Sequence, residues 1–164
     1  MLTLSHAGFQ DPRLEEAVRF VASQQLAVIS TCGPDGAPQA ALVGVAITDR
    51  FELVFDSTDT SRKIANIRRD PRVAVVVGGT MQDERTVQID GLADEPAGDE
   101  AERIREAYFR RWPDGRKRLT WTGITHVRVA PQWLRFSDWN VSPPVVAEWS
   151  RGQDRLLARS DPAT

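Results

Sequence analysis

Hydroxyl and basic side chains meet where a predicted strand gives way to a short predicted helix. The residues concerned are Ser57, Thr58, Ser61, Arg62 and Lys63. The first N–H groups of a helix lack intrahelical partners, and together with the helix dipole they favour an anion. Cations in a first helical turn oppose that dipole, whereas a bound phosphate accommodates hydroxyls, N–H groups and cations together. The pattern therefore indicates a phosphate site.

Two other interpretations of this segment stay open. In the first, the hydroxyl residues only cap the helix and form turns, and the basic residues are a solvated face. In the second, the basic residues contact nucleic acid; these residues are Arg62, Lys63, Arg68, Arg69 and Arg72. That patch is short and has no interleaved aromatic residues on which bases could stack, which argues against nucleic acid.

The elements around this segment predict an antiparallel sheet. Asp11-Pro12 is a typical helix start, and short β-branched runs separated by tight turns predict hairpins. The predicted helices are 12–21, 61–69 and 98–112, and the predicted strands are 26–31, 38–47, 51–55, 72–77, 85–93, 124–129 and 132–136. A closed or nearly closed barrel of about six or seven strands removes exposed sheet edges. A sandwich is the alternative.

Composition narrows the class of protein. The chain has 164 residues, 41% of them hydrophobic, and 21 Lys plus Arg against 23 Asp plus Glu. This size predicts one domain over 1–150, with a polar, flexible tail over 151–164. The near-neutral charge argues against nucleic acid as a partner, and no apolar run reaches the ~20 residues of a membrane span. Cys32 is the single cysteine, which excludes an intramolecular disulfide. The N-terminal residues show no signal-peptide pattern, and the two observations together predict a cytoplasmic protein.

The order and spacing of several segments resemble the pyridoxamine 5′-phosphate oxidase-like FMN-binding split-barrel family. The likeness covers about residues 14–139, and its main segments are 26–39, 61–73, 87–93 and 127–138. The resemblance implies a mainly β fold with inserted helices (α+β), an antiparallel split β-barrel. It also implies a homodimer in which two subunits pack side by side with FMN in the groove between them.

The resemblance also implies a cofactor site. Ser61, Arg62 and Lys63 would hold the phosphate, with Ser57 and Thr58 nearby. The strand that begins at Gln39 would run under the flavin, where small residues such as Ala41 admit a flat ring.

Three further residues are candidates for contact with the flavin ring. Gln88 lies on an otherwise apolar strand and would hydrogen-bond to the ring; alternatively it is an ordinary exposed residue. Trp133 and Arg135 alternate along the last strand and so share a face that could meet a flavin or a flat substrate. Trp133 could equally be a core or interface anchor, and Trp112, Trp121 and Trp139 could close the dimer.

No side chain is assigned as catalytic, and no metal site is expected. His126 has no second ligand near it in sequence and is interpreted as a hydrogen-bonded structural histidine. His6 is expected to lie in a mobile terminus. The name-giving oxidase ends in a basic C-terminal motif, whereas this chain has Arg135-Phe136-Ser137-Asp138-Trp139-Asn140 there. The expected activity is therefore not vitamin B6 oxidation, and the chain is closer to short bacterial members of the family.

The sequence thus predicts an FMN-dependent oxidoreductase with an unknown small-molecule substrate and NAD(P)H or a reduced flavin as electron donor. The alternative is a non-catalytic protein that binds, stores or senses flavin, the deazaflavin F420 or heme. Basic residues near the groove leave F420 open; they are Arg68, Arg69 and Arg85. Heme is less favoured because it needs an axial ligand, and the midchain candidates are His126, Cys32, Met81 and Tyr108.

Overall fold

The structure is a computed structural model that describes residues 11–151 and the backbone of residues 156–158. The described elements in chain order are α1 (Pro12–Ser23), β1 (Leu26–Cys32), β2 (Pro38–Gly44), β3 (Ala46–Ile47), β4 (Leu53–Thr58), α2 (Arg62–Arg69), β5 (Arg72–Gly78), β6 (Arg85–Asp94), α3 (Gly98–Arg111), α4 (Gly115–Arg118), β7 (Ile124–Asp138), β8 (Val145–Arg151) and β9 (Leu156–Ala158).

The strands form one antiparallel sheet in the order β2-β1-β5-β6-β7-β4-β3, to which β8 is added beside β7 and β9 beside β8. The predicted α+β fold, an antiparallel split barrel with inserted helices, is confirmed. The described residues form nine strands rather than six or seven. The additional strand β8 is not predicted from the sequence, because only one of its residues, Trp149, is buried.

The predicted tail over 151–164 lies mostly outside the described residues. Arg151 ends β8, and the backbone of 156–158 pairs with β8 as a strand. His6 also lies outside the described residues.

The prediction of two strands at 124–129 and 132–136 is wrong, because β7 runs unbroken past Pro131. The pairing of β6 with β7 shifts register between Asp90 and Gly91, and Pro131 faces Gly91 at this shift. A Cβ on Gly91 would lie 2.7 Å from Cγ1 of Val129 and 3.0 Å from the Ala130 carbonyl oxygen. Because Gly91 has no side chain and the pairing is bulged at this point, Pro131 fits into β7 without ending the strand.

The main core lies inside the barrel and is covered at one side by α1. The helix begins where predicted: Asp11 accepts a capping hydrogen bond from the Arg13 N–H at 2.9 Å. The second Asp11 oxygen accepts from Nε1 of the buried Trp149 at 2.8 Å. One carboxylate therefore caps α1 and anchors β8 to it.

A second, smaller core lies on the other face of β4, under α3. Its buried members are Ala46, Val54, Ile104, Tyr108 and Phe109. Neighbouring residues of β4 contribute to both cores, since Leu53 and Phe55 face the barrel interior. Because both faces of its first half are buried, β4 begins with three consecutive apolar residues, Leu53-Val54-Phe55.

A polar cluster closes one end of the second core. Asp56 accepts hydrogen bonds from the Tyr108 hydroxyl at 2.8 Å and from Nε of Arg118 at 2.6 Å. Burial, followed by the neighbouring Asp56 carboxylate, raises the pKa of Tyr108 well above its ordinary value. The cluster ties α3 and α4 to β4, the strand that leads into the hydroxyl-rich segment, residues 57–61.

His126 lies beside Asp56 on the adjacent strand and is 8% exposed. Its ring packs edge-on against Tyr108 and Phe109, with centroids 5.4 and 5.5 Å away. Nε2 is buried and has no hydrogen-bond partner among the described residues. The expectation of a hydrogen-bonded structural histidine is thus wrong for this atom. Burial lowers the pKa of His126, and the charges of Arg105 and Arg118 lower it further against an opposing effect of Asp56.

We predict that His126 makes the protein less stable in mild acid. The folded-state pKa lies below the unfolded value of about 6.5, so the unfolded chain takes up the proton first. The stabilisation by neutral His126 is therefore fully present above pH about 6.5 and is lost as the pH falls, by up to about 1.4 kcal/mol per pH unit. Denaturant unfolding between neutral pH and mild acid, at fixed protein concentration, measures this slope.

The variant His126→Phe keeps a ring in the aromatic cluster and should flatten the slope. Equal slopes in the wild type and in His126→Phe would contradict the prediction.

Candidate functional site

The hydroxyl-rich segment places two serines side by side at the start of α2. The Ser57 and Ser61 hydroxyl oxygens are 3.0 Å apart, and the Ser61 N–H donates to the Thr58 carbonyl at 3.0 Å. Ser61 occupies the N-cap position of α2, yet its side chain makes no capping hydrogen bond. The first-turn N–H groups of Arg62 and Lys63 therefore have no side-chain cap. The end of β4 and the start of α2 together present hydroxyl and amide donors.

Arg62 and Lys63 carry charge at this helix start without a carboxylate partner among the described residues. The Arg62 side chain is exposed, and its Nε donates to Oε1 of Gln39 at 3.1 Å. Lys63 is half-buried and makes no ion pair within the described part of the chain. Both cations are thus available to an anion.

Two other cations of the same segment, Arg68 and Arg72, are paired with carboxylates. Arg68 forms a two-bond ion pair with Glu95 at 2.6 and 2.9 Å, which lowers the pKa of that carboxyl. Arg72 binds Asp70 in the same way and holds the pKa of Asp70 at about 2. Among the described residues, the cations of this segment without a carboxylate partner are Arg62 and Lys63 at the first turn of α2 and Arg69 at its last turn.

A buried amide joins α2 to the β1–β2 hairpin. Asn66 donates from Nδ2 to Oγ1 of Thr31 at 2.9 Å and to Oε1 of Gln39 at 3.0 Å. Its Oδ1 accepts from Arg69 at 3.0 Å, and Arg69 also donates to the Cys32 carbonyl. Asn66 and Thr31 are not among the site residues predicted from the sequence. The available signal was a polar residue between Ile64 and Ile67, the two apolar residues that α2 buries.

Three other predicted site residues, Gln88, Trp133 and Arg135, lie on the outer face of the sheet. Directly paired residues form a row across five strands: Leu42, Val28, Val76, Gln88 and Arg135. The neighbouring row is Ala40, Ser30, Ala74, Asp90 and Trp133. Gln88 therefore lies beside Arg135 and Trp133 beside Asp90.

The predicted site residues consequently fall into two groups on opposite faces of the sheet. Gln39 and Ala41 face inward with α2, and Ala41 packs against the main core. Gln88, Trp133 and Arg135 face outward. Arg135 also pairs with Glu148 at 3.4 Å, and its Nε is buried with no partner among the described residues.

Part of the outer face is apolar and exposed. Leu42 is 65% exposed, Val28 41% and Val76 44%, and these three lie next to one another on adjacent strands. Of the tryptophans proposed to close a dimer, Trp121 and Trp139 are exposed. Trp112 is half-buried and donates to the Val45 carbonyl at 3.0 Å.

No helix among the described residues is long and apolar enough to cross a membrane. Within the same residues, no group of three or more His, Cys, Asp or Glu side chains is placed to hold a metal ion.

Solved structures with the same fold include proteins of different description. A conserved hypothetical protein of Mycobacterium tuberculosis is 27% identical, with a TM-score of 0.64 over 76% of this chain and 83% of that chain. A pyridoxamine 5′-phosphate oxidase-related, FMN-binding protein of Nostoc punctiforme is 13% identical, with a TM-score of 0.70 over 95% and 97%. A heme-binding protein of Mycobacterium smegmatis is 19% identical, with a TM-score of 0.70 over 93% of this chain but 60% of that chain.

Among curated proteins, no match to the chain was found. The family model described as pyridoxamine 5′-phosphate oxidase matches residues 14–136, which is well over half of the chain. The chain therefore belongs to the pyridoxamine 5′-phosphate oxidase-like family.

Proposed function

We propose that this protein is an FMN-binding oxidoreductase of a small-molecule substrate, with the flavin held between two copies of the chain. The observation that carries the proposal is the first turn of α2. There, Arg62 and Lys63 lie beside the Ser57 and Ser61 hydroxyls and have no carboxylate partner among the described residues. The Nostoc relative, described as FMN-binding and aligned over nearly its whole length, supports the choice of cofactor.

The phosphate of FMN matches the donors at this site. Amide N–H groups, two hydroxyls and two cations can all donate to phosphate oxygens, and the helix dipole adds to their attraction. Serine and Arg62 donors give direction, whereas the flexible Lys63 ammonium supplies charge. A free phosphate would bind the same donors, so the flavin portion of the proposal needs its own support.

That support comes from the outer face of the sheet. Gln88, Trp133 and Arg135 face away from the α2 site of the same chain, whereas a second copy could present them to the flavin held by the first. Leu42, Val28 and Val76 form an exposed apolar patch, and such patches are typical of interfaces with another protein. Gln88 would hydrogen-bond to the ring edge, and Trp133 and Arg135 would line one side of it.

A bound flavin would supply the electron-transfer chemistry, and the residues of this chain would bind it, orient it and shield it from water. No residue is assigned as acid or base. The electron donor would be NAD(P)H or a reduced flavin, entering at the edge of the dimer.

Binding of F420 or heme without turnover is the alternative. The extra cations that suggested F420 are partly compensated: Arg85 is paired with Asp83 at 2.6 Å, as Arg68 is with Glu95. Of the candidate heme ligands, His126 is buried under α3, in contact with the buried Tyr108 of that helix. These contacts argue against F420 bound through Arg68 or Arg85 and against heme ligated by His126 or Tyr108.

The double variant Arg62→Ala/Lys63→Ala should bind FMN at least about 10-fold more weakly, since hydrogen bonds to charged groups contribute about 1.5–3 kcal/mol each. Fluorescence titration of FMN measures the affinity. Arg72→Ala, in the same segment but paired with Asp70, is the matched control and should keep the wild-type affinity. Unchanged FMN binding in the double variant would place the phosphate elsewhere.

The variant Leu42→Asp should dissociate the dimer, because it buries a carboxylate in the proposed subunit interface. Sedimentation velocity at micromolar concentration measures the change. Met81→Asp is the control, as Met81 is 88% exposed in the β5–β6 turn. A wild-type protein that sediments only as a monomer would exclude the intersubunit site.

An oxidoreductase should accept electrons at its flavin. With FMN bound under anaerobic conditions, NADH, NADPH or a reduced flavin should bleach the visible flavin spectrum. Bleaching by dithionite but by none of these donors would contradict the enzymatic role and favour a binding protein.

A further inference from the structure

The Gln39 amide is held in one orientation by two donors. Its Oε1 accepts from Nε of Arg62 at 3.1 Å and from Nδ2 of Asn66 at 3.0 Å. Nε2 points the other way, toward Gly33, where a Cβ would lie only 2.8 Å from it. Since Oε1 is the only acceptor of this amide, a flipped side chain would lose both bonds.

Asn66 is itself fixed. It is 3% exposed, and its amide is engaged at both ends by Thr31, Gln39 and Arg69. Thr31 is equally buried on β1. A buried amide with its partners in place has little freedom to rotate, because any movement leaves a polar atom unpaired. The chain Thr31–Asn66–Gln39 is thus a rigid support that ends at an exposed arginine.

The bond from Gln39 to Arg62 uses the inner nitrogen of the guanidinium. It leaves the two terminal nitrogens of Arg62 free of partners among the described residues. Those nitrogens form the edge that binds two phosphate oxygens at once. Arginine side chains have many rotamers, so holding one in place before a ligand arrives reduces the entropy lost on binding.

We propose that Gln39 and Asn66 are positioning residues that orient the Arg62 guanidinium toward a phosphate monoester. This proposal rests on the proposed function, in which that monoester is the phosphate of FMN. It changes the role expected for Gln39: the side chain acts through Arg62 on the phosphate and does not bind the flavin ring. Gly33 has a part in the same arrangement because it leaves space for the Gln39 amide.

The competing explanation is that the same hydrogen bonds only fasten α2 to the hairpin. A fastening role would lower stability and weaken every flavin alike. A positioning role would weaken FMN but not riboflavin, which has the same ring and no phosphate. The ratio of FMN affinity to riboflavin affinity therefore distinguishes the two roles.

The test uses the full chain and the variant Gln39→Met, which removes the acceptor and keeps the length of the side chain. We expect FMN affinity to fall about 5- to 20-fold while riboflavin affinity stays within about twofold, as for loss of one charge-assisted contact. Gln132→Met, at a glutamine on β7, is the matched control and should leave both affinities unchanged. Equal weakening of FMN and riboflavin by Gln39→Met would overturn the proposal.

A double-mutant cycle gives a second criterion. In an Arg62→Ala background, Gln39→Met should cause no further loss of FMN affinity, because Gln39 acts through Arg62. Additive losses would overturn the proposal. Failure of the proposed function is separately visible, since a wild-type protein that binds neither FMN nor riboflavin would exclude the flavin itself.

Gly33→Ala provides an independent variant if Gln39→Met does not fold. Its Cβ would lie 2.8 Å from Nε2 of Gln39, 2.9 Å from Oδ1 of Asp35 and 3.2 Å from the Ala37 carbonyl oxygen, so the Gln39 amide would have to leave its position. We expect folding to be retained and the ratio of FMN to riboflavin affinity to fall. A Gly33→Ala protein with the wild-type ratio would contradict the role of the Gln39 amide.

Discussion

The buried amide of Asn66 is the interaction on which the candidate site depends. It lies on the inner face of α2, between two apolar residues, and its hydrogen bonds reach β1, β2 and the end of its own helix. An unpaired amide in this position would cost about 1–3 kcal/mol, so the helix and the hairpin are held in one relative position. The apolar neighbours Ile64 and Ile67 stabilise the contact, whereas the amide determines its register.

The alternation of side chains along each strand has an equally strong consequence. β2 directs Gln39 and Ala41 toward α2 and the core, and it directs Leu42 outward. Residues on opposite faces of one sheet do not meet on one small ligand. A site that uses both the first turn of α2 and the outward-facing Gln88, Trp133 and Arg135 must therefore be completed by a second molecule. This is the physical reason for proposing that the flavin lies between two copies of the chain.

The sequence could predict features that depend on local chemistry. The helix start at Asp11-Pro12, the hydroxyl and basic segment, and most of the strands follow from capping preference, helix-end electrostatics and β-branched alternation. The unbroken path of β7 could not be predicted, because Pro131 is accommodated by a bulge opposite Gly91 on another strand. The bond between Gln39 and Arg62 joins residues 23 positions apart and depends on how α2 packs. The predicted roles of Gln88, Trp133 and Arg135 stay predictions.

The distribution of ion pairs explains how a chain with a net charge of −2 can present a cationic site. Arg68, Arg72 and Arg85 each have a carboxylate within 2.6 Å. Arg118 is held by Asp56 at the far side of the same strand end. Since each pair cancels its own charge at short range and salt screens what remains beyond about 10 Å, the field near α2 is set by its cations that lack a carboxylate partner among the described residues. These are Arg62 and Lys63 at the first turn and Arg69 at the last. Two of these three cations thus lie at the first turn of α2, where the hydroxyl and amide donors also lie, whereas Arg69 is used by the Asn66 and Cys32 oxygens.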